Sequence, residues 1–487
     1  MTRITSLTAI ELSTAIRLRR VSCREVMTAY LDRIDAINPR FNAIVALQPR
    51  ELLLAQADER DAQLSRGEYL GWMHGMPQAI KDLSPAAGLP LTRGSPLFAD
   101  QVAVQDGLMV SRIRAAGAIL IGKTNTPEFG LGSQTYNPVW GVTRNPYDDS
   151  RCAGGSSGGA AAALALRLLP VADGSDMGGS LRNPAAYCNV FGFRPTQGRV
   201  PKWPEIDPYL QQFGTEGPMG RTVTDLARLL ATQAGFDPRC PLALSDDPAI
   251  FAGSLERPFQ GTRIGWLGDL DGYYPIESGI VELCEAALGA LAGIGCVVEP
   301  TGIGFDPRRL WDCWIHLRSV LNVGALGALY ADPAKRDRIK PEARWEIETG
   351  LATTAQQVSA ASIVRTEWHA QVLRLFERFD YLAVPTAQVF PFDVQTHWPT
   401  QVAGRQMDTY HRWMEIVVPW TLASCPVLSV PVGFGATGLP MGMQLIGRPR
   451  ADLAVLQLGH AYEQVVDWPR RPPPLAIEPS PGSGGAA

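Results

Sequence analysis

The spacing of apolar residues is helical over the first part of the chain. Two Ser or Thr residues that are followed three positions later by Glu mark helix starts, at Thr8 with Glu11 and at Ser22 with Glu25. In such a pair each side chain can bond the free backbone N–H of the other residue. We therefore expect residues 1–70 to form a helical N-terminal segment that packs on the rest of the molecule.

Helix-breaking residues divide this segment. Asn38 and Pro39 are expected to end the second helix, since proline lacks the N–H that continues a helix. Apolar periodicity over 51–64 predicts a third helix, which ends near Gly67.

After the N-terminal segment, short apolar runs alternate with helical stretches. A helix over 106–116 is followed by a strand over 118–121, and an Ala-rich helix over 159–168 is followed by a strand over 169–172. Helices and strands that alternate in this way are typical of an α/β layered sheet.

The remainder of the chain continues this mixture. The predicted elements are helices over 223–231, 276–292 and 361–379, strands over 262–266 and 381–384, and a returning strand pair over 427–432 and 442–446. Residues 71–466 then form one large catalytic α/β domain, and residues 467–487, rich in Pro, Gly and Ser, are expected to be a flexible tail.

Composition and charge narrow the class of protein. Hydrophobic residues make up 46% of the 487 residues and charged residues 19%, as in ordinary globular proteins. A net charge of -4, with Lys and Arg dispersed, argues against a nucleic-acid partner. Charged residues interrupt the apolar runs near the N terminus, and no run reaches the roughly 18 to 20 residues of a membrane helix. We therefore expect a cytoplasmic protein that does not bind a membrane.

The 8 cysteines contain no Cys-x-x-Cys pair and no zinc-like spacing with histidine. Neither a disulfide framework nor a metal site is predicted. We expect most of these cysteines to be small buried hydrophobic residues.

One stretch, Gly117 to Thr124, matches the phosphate-binding loop of nucleotide-binding proteins letter for letter. That loop needs flexible residues between its glycines and a helix after its threonine. Here the intervening residues are apolar and favour a strand, and Pro127 comes too soon for a helix that starts at Lys123. A buried strand that ends in a turn is the favoured interpretation, and nucleotide binding stays as a third hypothesis.

A second stretch, Gly154-Gly155-Ser156-Ser157-Gly158, matches the Gly-x-Ser-x-Gly nucleophile elbow of α/β-hydrolases. An elbow follows a buried strand, whereas residues 148–153 are polar and turn-forming. It also needs a histidine base, and none of the 6 histidines stands out in the sequence. A histidine-dependent Ser156 nucleophile is therefore the second-ranked interpretation, because a glycine-rich helix cap already explains these glycines.

A third set of residues combines Lys81, the cluster around Ser156, and Ser180. Ser180 follows a strand-like segment and two glycines. Glycines directly before a serine let several backbone N–H groups converge where a carbonyl oxygen becomes anionic. Pro184 suits the first turn of a following helix, whose positive end favours the same negative charge.

From about Gly71 to Thr224 the chain resembles the amidase signature family. The matching segments are Gly75-Met76-Pro77, Lys81-Asp82, Gly122 to Glu128, Asn145-Pro146, Gly154 to Gly159, Gly174 to Ser180, and Pro195-Thr196 with Gly198. The similarity returns near 431–447. The resemblance implies an α/β fold with a single large amidase-signature domain, built on a central mixed β-sheet flanked by helices. Three positions depart from the family: Met177 stands where it often has Thr or another residue, Asn183 occupies a commonly apolar position, and Phe193-Arg194 replaces a more usual Leu-Lys.

Carried over position by position, the resemblance makes Ser180 the nucleophile, Ser156 a proton relay held by a cis peptide bond, and Lys81 the base. An ordinary lysine has a pKa of about 10.4, so Lys81 must be buried to act as a base near neutral pH. The oxyanion hole implied by the same motifs consists of the backbone N–H groups of Met177, Gly178, Gly179 and Ser180.

Nearby polar and aromatic residues receive structural interpretations first. We expect Asp82, Asp176 and Arg182 to hold loop backbones by hydrogen bonding, and His74 to be structural rather than catalytic. The aromatic residues that could line an acyl pocket, although core packing is favoured for each, are Tyr136, Trp203, Phe213, Trp311, Trp314, Trp413 and Trp420.

The resemblance implies an amidohydrolase that cleaves C–N bonds of acyl amides, with carbamates (urethanes) and esters as further substrates. It implies neither a metal nor an organic cofactor. The alternative is the glutaminase (A-type) component of a tRNA-dependent amidotransferase, which transfers ammonia to a partner chain. We expect a small-molecule amide or carbamate substrate, and a homodimer is compatible with the resemblance.

Overall fold

The computed structural model describes residues 4–474. Its α-helices are α1 (Ala9–Arg17), α2 (Cys23–Phe41), α3 (Arg50–Ser65), α4 (Leu108–Ala115), α5 (Gly158–Ala165), α6 (Arg182–Tyr187), α7 (Val223–Gln233), α8 (Ile280–Gly293), α9 (Pro307–Ala331), α10 (Pro333–Arg336), α11 (Pro341–Ala352), α12 (Ala355–Arg378), α13 (Val418–Leu422) and α14 (Asp452–Gln464). The strands are β1 (Ile44–Val45), β2 (Pro77–Lys81), β3 (Ile119–Thr124), β4 (Tyr136–Asn137), β5 (Gly141–Val142), β6 (Ala172–Asp176), β7 (Phe191–Arg194), β8 (Thr215–Gly220), β9 (Arg263–Trp266), β10 (Val297–Pro300), β11 (Tyr381–Pro385), β12 (Gln401–Val402), β13 (Arg405–Gln406), β14 (Val427–Phe434) and β15 (Pro440–Ile446).

The centre of the molecule is an 8-stranded sheet in the order β10-β9-β11-β15-β14-β7-β8-β6. Strands β10, β9 and β11 run parallel to one another, and the remaining neighbours are antiparallel. Helices α6, α8 and α14 pack on this sheet. The predicted central mixed sheet flanked by helices is therefore confirmed.

A smaller sheet, in the order β1-β3-β2, lies next to strand β6 of the central sheet. Strands β2 and β3 are parallel and fully buried. The backbone N–H of Lys81, at the end of β2, donates to the carboxylate of Asp173 on β6 at 3.2 Å. This contact places the end of β2 alongside β6, where the candidate site forms.

The N-terminal helices α1 and α2 have the predicted starts. Thr8 with Glu11 and Ser22 with Glu25 form reciprocal capping boxes. The carboxylate of Asp225, on α7, accepts the free N–H groups of Ala9 and Ile10 at 2.9 and 3.0 Å and so ties α1 to the rest of the molecule.

The predicted end of α2 is wrong. The helix continues through Pro39 to Phe41, and Asn42 closes it in the left-handed conformation at φ 52°. Asp35, whose carbonyl loses its partner at Pro39, is exposed, whereas Phe41 is buried. Burial of the phenyl ring in the core therefore outweighs one lost hydrogen bond at the solvent side.

The strand predicted over 169–172 lies further along the chain. Helix α5 ends at Ala165, and the strand runs over Ala172–Asp176, a polar stretch that pairs along its whole length with β8. The pairing partner is distant in the chain, so pairing and burial override the weak strand propensity of the local sequence.

Most of the remaining predicted elements are present with shifted ends. The strand predicted over 118–121 is β3 and extends through Thr124, so most of the apparent phosphate-binding loop forms a buried strand, and no α-helix begins at Lys123. The predicted returning pair is the antiparallel β14 and β15. The long helix α9 was not predicted.

The cysteines belong to the apolar interior. All 8 are unpaired and buried, as expected of small hydrophobic residues. None of the helices within residues 4–474 is long and apolar enough to cross a membrane. Trp468–Arg470 form a short 3-10 helix, and the predicted tail beyond residue 474 lies outside the described part of the chain.

Two glycines in helices provide a matched test of the packing. A Cβ on Gly159, in α5, would overlap the backbone N of Asn125 and lie 2.6 Å from the carbonyl O of Ala43, whereas one on Gly289, in α8, would meet nothing within 4 Å. We expect Gly159→Ala to lower the free energy of unfolding by about 3 kcal/mol through overpacking. Gly289→Ala should raise it by about 0.5 to 1 kcal/mol through helix propensity.

Denaturant unfolding of both variants checks this pair of changes. Equal stabilisation by both alanines would contradict the close approach of α5 to the end of β3.

Candidate active site

The amine of Lys81 lies at the bottom of the candidate site. Its Nζ donates to the hydroxyls of Ser156 and Ser157, both at 2.8 Å, and to the hydroxyl of Ser175 at 3.1 Å. The side chain is fully buried. Burial lowers the pKa of Lys81 to about 7, although nearby carboxylates act in the opposite direction. Near neutral pH a large fraction of this amine is therefore uncharged and able to accept a proton.

The segment around Ser156 connects a loop to helix α5. The peptide bond between Gly155 and Ser156 is cis, as the resemblance implies. The carbonyl oxygens of Gly154 and Gly155 accept hydrogen bonds from the hydroxyls of Thr135 and Ser133 at 2.8 and 2.6 Å. These contacts hold the Ser156 hydroxyl toward Lys81.

The elbow interpretation of Ser156 is not supported by its surroundings. The residues that precede Gly154 form turns and an isolated bridge between Arg144 and Cys152, rather than a strand that leads into the serine. Within residues 4–474 no histidine hydrogen-bonds to Ser156 or Ser180, so neither serine has an imidazole base in contact.

Asp176 organises the loop that carries Ser180. Its buried carboxylate accepts the backbone N–H groups of Gly179 at 2.9 Å and Leu181 at 3.1 Å. It also accepts Nε and Nη2 of Arg182 at 3.0 and 2.9 Å. Burial alone would raise the pKa of Asp176, but the charges and hydrogen bonds of Arg182 and Arg194 outweigh it and hold that pKa below its ordinary value. Asp176 and Arg182 thus hold the loop backbone, as predicted.

The N–H groups of this loop do not all remain free. Gly179, at φ 90°, directs its N–H to Asp176, so this group is engaged in holding the loop rather than in an oxyanion hole. The N–H groups of Met177, Gly178 and Ser180 have no acceptor among the described residues. Three of the four predicted donors are therefore available to a substrate oxygen.

Ser180 and Ser156 face the same cavity. Ser180 is 9% exposed, and its carbonyl accepts the N–H of Ser157 at 3.1 Å, which holds the two loops together. Between described residues, Ser156 Oγ is hydrogen-bonded to Lys81 and not to Ser180 Oγ. Hydrogen bonds between catalytic groups are often long without substrate and shorten when it binds.

The cavity has a volume of about 180 Å³. Its lining residues are Leu83, Ser84, Phe129, Gly130, Leu131, Gly132, Ser156, Ser175, Asp176, Met177, Gly178, Ser180, Lys202, Gly214, Thr215, Glu216, Arg318, Asn322 and Met414. These residues include both apolar side chains and polar or charged ones. The cavity accommodates a small molecule with both kinds of surface.

The aromatic residues considered as pocket lining do not line this cavity. Five of them are buried in the core, as the favoured interpretation of core packing predicted: Phe213, Trp311, Trp314, Trp413 and Trp420. Trp314 supports the site from behind, since a Cβ on Gly178 would lie 3.3 Å from its ring.

Sequence reasoning missed Arg318 and Asn322, which reach the cavity from α9. They lie four positions apart and so on the same face of that helix. The sequence signal that could have indicated them is a pair of polar residues four positions apart among apolar neighbours. In the part of the chain that is described, no cluster of three or more His, Cys, Asp or Glu side chains could hold a metal.

The low pKa of Lys81 makes stability depend on pH in a defined direction. Between pH of about 7 and about 10.5 the unfolded chain holds a proton on Lys81 that the folded chain has lost. The free energy of unfolding, taken relative to Lys81→Met, should therefore rise with pH in this window, by up to about 1.4 kcal/mol per pH unit. Lys123 is also buried, but it is present in both proteins and cancels.

Urea unfolding of both proteins across this pH range measures the difference. A difference that falls or stays flat with pH would show that Lys81 is charged in the folded protein.

Comparison with known proteins identifies the family. The amidase family model matches residues 25–456. The A component of the glutamyl-tRNA(Gln) amidotransferase of Thermosynechococcus vestitus is 33% identical, over 93% of this chain and 97% of the relative. An acylamidase of Rhodococcus erythropolis is 32% identical, over 96% of this chain and 97% of the relative. The crystal structure of a bacterial aryl acylamidase of the amidase signature family has a TM-score of 0.91 and 29% identity, and the match covers 97% of this chain and 99% of that chain. The chain therefore belongs to the amidase signature family and is an amide-hydrolysing enzyme.

Proposed function

We propose that this enzyme hydrolyses small acyl amides through an acyl-enzyme on Ser180, with Ser156 as proton relay and Lys81 as base. The observation that carries the proposal is the buried amine of Lys81, which has a pKa of about 7 and lies 2.8 Å from Ser156 Oγ, beside the cavity that Ser180 lines. A base with a pKa near the working pH is suited to proton transfer.

In the proposed reaction the neutral amine of Lys81 takes the proton of the Ser156 hydroxyl, and Ser156 takes that of Ser180. Ser180 Oγ then attacks the carbonyl carbon of the amide. When the tetrahedral intermediate collapses, the C–N bond breaks and the proton returns along the relay to the leaving nitrogen. Water attacks the acyl-enzyme by the same route and releases the acid and free Ser180.

The negative oxygen of the tetrahedral intermediate needs donors that are already in place. The free N–H groups of Met177, Gly178 and Ser180 support this role, because they belong to one loop beside the nucleophile. Asp176 supports it indirectly, since its bonds to Gly179 and Leu181 prevent the loop from rearranging.

The proposed substrates are small acyl amides, together with carbamates and esters, which present a similar carbonyl to the same groups. The apolar side chains of Leu83, Phe129, Leu131 and Met414 in the cavity suit an alkyl or aryl group. Similarity to the acylamidase and to the aryl acylamidase supports the same class.

The alternative is the glutamine-hydrolysing component of a tRNA-dependent amidotransferase. The similarity to the glutamyl-tRNA(Gln) amidotransferase chain favours it. Free glutamine would bring a carboxylate, which would need an unpaired cation in the cavity. Lys202 is already paired with Glu205 at 2.5 Å, and Arg318 with Glu346 at 2.6 Å. These pairings favour the acylamidase proposal.

A serine-directed reagent tests the nucleophile. We expect phenylmethylsulfonyl fluoride to modify Ser180, because its hydroxyl is the end of the relay and faces the cavity. Mass spectrometry of peptides from the labelled protein locates the adduct. In Ser180→Ala the adduct and amide turnover should both disappear, with a loss in kcat of at least about 10⁴-fold.

Ser156→Ala is the matched control for this experiment. It should slow labelling but leave the adduct on Ser180, since only the relay is removed. An adduct on Ser156, or turnover that survives in Ser180→Ala, would overturn the assignment.

A substrate panel tests the proposed class against the alternative. We expect acetanilide and butanamide to be hydrolysed by the isolated chain with kcat/KM well above that for glutamine, because the cavity offers apolar surface and its cationic side chains are paired. Ammonia and aniline release measure the rates. Glutamine as the best substrate, together with a stable partner chain that co-purifies, would support the amidotransferase alternative instead.

A further inference from the structure

Helix α9 brings to the cavity two polar side chains that the proposed reaction does not use. Arg318 and Asn322 lie one helical turn apart and both line the cavity. They are 4% and 7% exposed. Such buried polar groups are normally hydrogen-bonded, so the partners of these two side chains decide what they can do.

Asn322 has no partner among the described residues. Its Nδ2 is buried without an acceptor, and no hydrogen bond of its side chain to another described residue is present. A buried amide N–H without an acceptor destabilises the fold. Neither atom of the amide is committed to another described residue, so a half-turn of the amide group can present its N–H to a molecule that enters the cavity.

Arg318 is only partly satisfied. Its Nε donates to Glu346 at 2.6 Å and its Nη2 to the hydroxyl of Tyr410 at 2.7 Å. The remaining nitrogen, Nη1, has Met177 Sδ at 3.4 Å, and a thioether is a weak acceptor on a flexible side chain. An oxygen acceptor could replace this contact at little cost.

The position of Nη1 relates it to the reaction. It lies 3.8 Å from the place that a Cβ on Gly178 would take, beside the loop of the proposed oxyanion hole. A substrate group that accepts a hydrogen bond from Nη1 would therefore lie close to the scissile carbonyl of the same molecule.

The charges around the two donors favour a neutral acceptor. The buried carboxylate of Glu346 already balances Arg318. Of the other charged groups that face the cavity, Lys202 is paired with Glu205, and Glu216 accepts the hydroxyl of Ser84 at 2.7 Å. A substrate carboxylate would add an uncompensated charge in a buried site, whereas a carbonyl oxygen would not.

We infer that Arg318 Nη1 and Asn322 Nδ2 together bind a second, neutral carbonyl oxygen of the substrate, next to the bond that is cleaved. The preferred substrates are then amides that carry a ketone, a second amide or a carbamate near the scissile carbonyl. This inference rests on the proposed function, because it takes the cavity beside Ser180 to be the substrate site.

Two matched series of anilides test it. In the acyl series, the anilides of butanoic, 3-oxobutanoic and malonic acid place a methylene, a carbonyl or a carboxylate at the same distance. In the amine series, 4-ethyl-, 4-acetyl- and 4-carboxyacetanilide do the same on the leaving group. Each is compared between the unmodified enzyme and Asn322→Leu, which removes the amide at similar volume.

In one of the two series we expect Asn322→Leu to lower kcat/KM for the carbonyl compound about tenfold, the factor for one hydrogen bond of ordinary strength. The methylene compound should keep its rate, and the carboxylate compound should be the poorest substrate of the unmodified enzyme. For each compound, the ratio of kcat/KM in the unmodified enzyme to kcat/KM in Asn322→Leu is independent of the intrinsic reactivity of that compound.

Stability separates this role from a structural one. Because Asn322 lacks partners among the described residues, Asn322→Leu should unfold at the same temperature or higher. Leu321→Met, the neighbouring apolar position that does not line the cavity, is the control and should change neither the ratios nor the melting temperature by much.

Ratios that are unchanged in both series would overturn the inference while leaving hydrolysis by Ser180 intact. A loss confined to the carboxylate compounds would also overturn it, since the site would then bind an anion. If no anilide is hydrolysed, the proposed function fails. Melting temperatures then test the inference. The carbonyl compounds should raise the melting temperature of the unmodified protein more than the methylene compounds do, and this difference should be absent in Asn322→Leu.

Discussion

The ion pair between Asp176 and Arg182 is the interaction on which the architecture of the site depends. Asp176 ends strand β6 and accepts the loop N–H groups, while Arg182 begins α6 and donates to the carbonyl of Val417 and the side chain of Gln444 at 2.9 and 2.8 Å. One buried pair thereby connects the loop of Ser180 to β15 and to the start of α13. Removal of Asp176 would leave the buried Arg182 without its carboxylate partner, and an unpaired interior charge typically costs about 3 to 5 kcal/mol.

Lys81 is a buried titratable group with the opposite kind of surroundings. Among the ion pairs of the described residues it has no carboxylate partner, and serine hydroxyls surround its amine instead. Hydroxyls can accept from a charged amine or donate to a neutral one, so they do not oppose deprotonation as a carboxylate would. Asp176 has arginine partners and stays charged, so it holds the loop in place. Lys81 has no carboxylate partner, so its amine is able to exchange a proton.

The walls of the cavity come from segments far apart in the chain. The loop of Ser180 and the segment of Ser156 form one side, and helix α9 brings Arg318 and Asn322 to another. The motifs of the family are concentrated in the first group, whereas α9 lies outside them. The proposed chemistry and the proposed selection among substrates thus reside in different parts of this structure.

The sequence by itself determined the helix starts at Thr8 and Ser22, the strand character of the apparent phosphate-binding loop, and the set of candidate residues that the fold brings to one cavity. These features depend on local spacing, on cap geometry and on motifs within short segments. Tertiary structure alone decided that α2 runs through Pro39, that the polar stretch Ala172–Asp176 forms a strand, and that Gly179 donates to Asp176. Each of these outcomes depends on burial, on pairing with distant residues or on how a loop closes on itself, and local propensity carries no information about such partners.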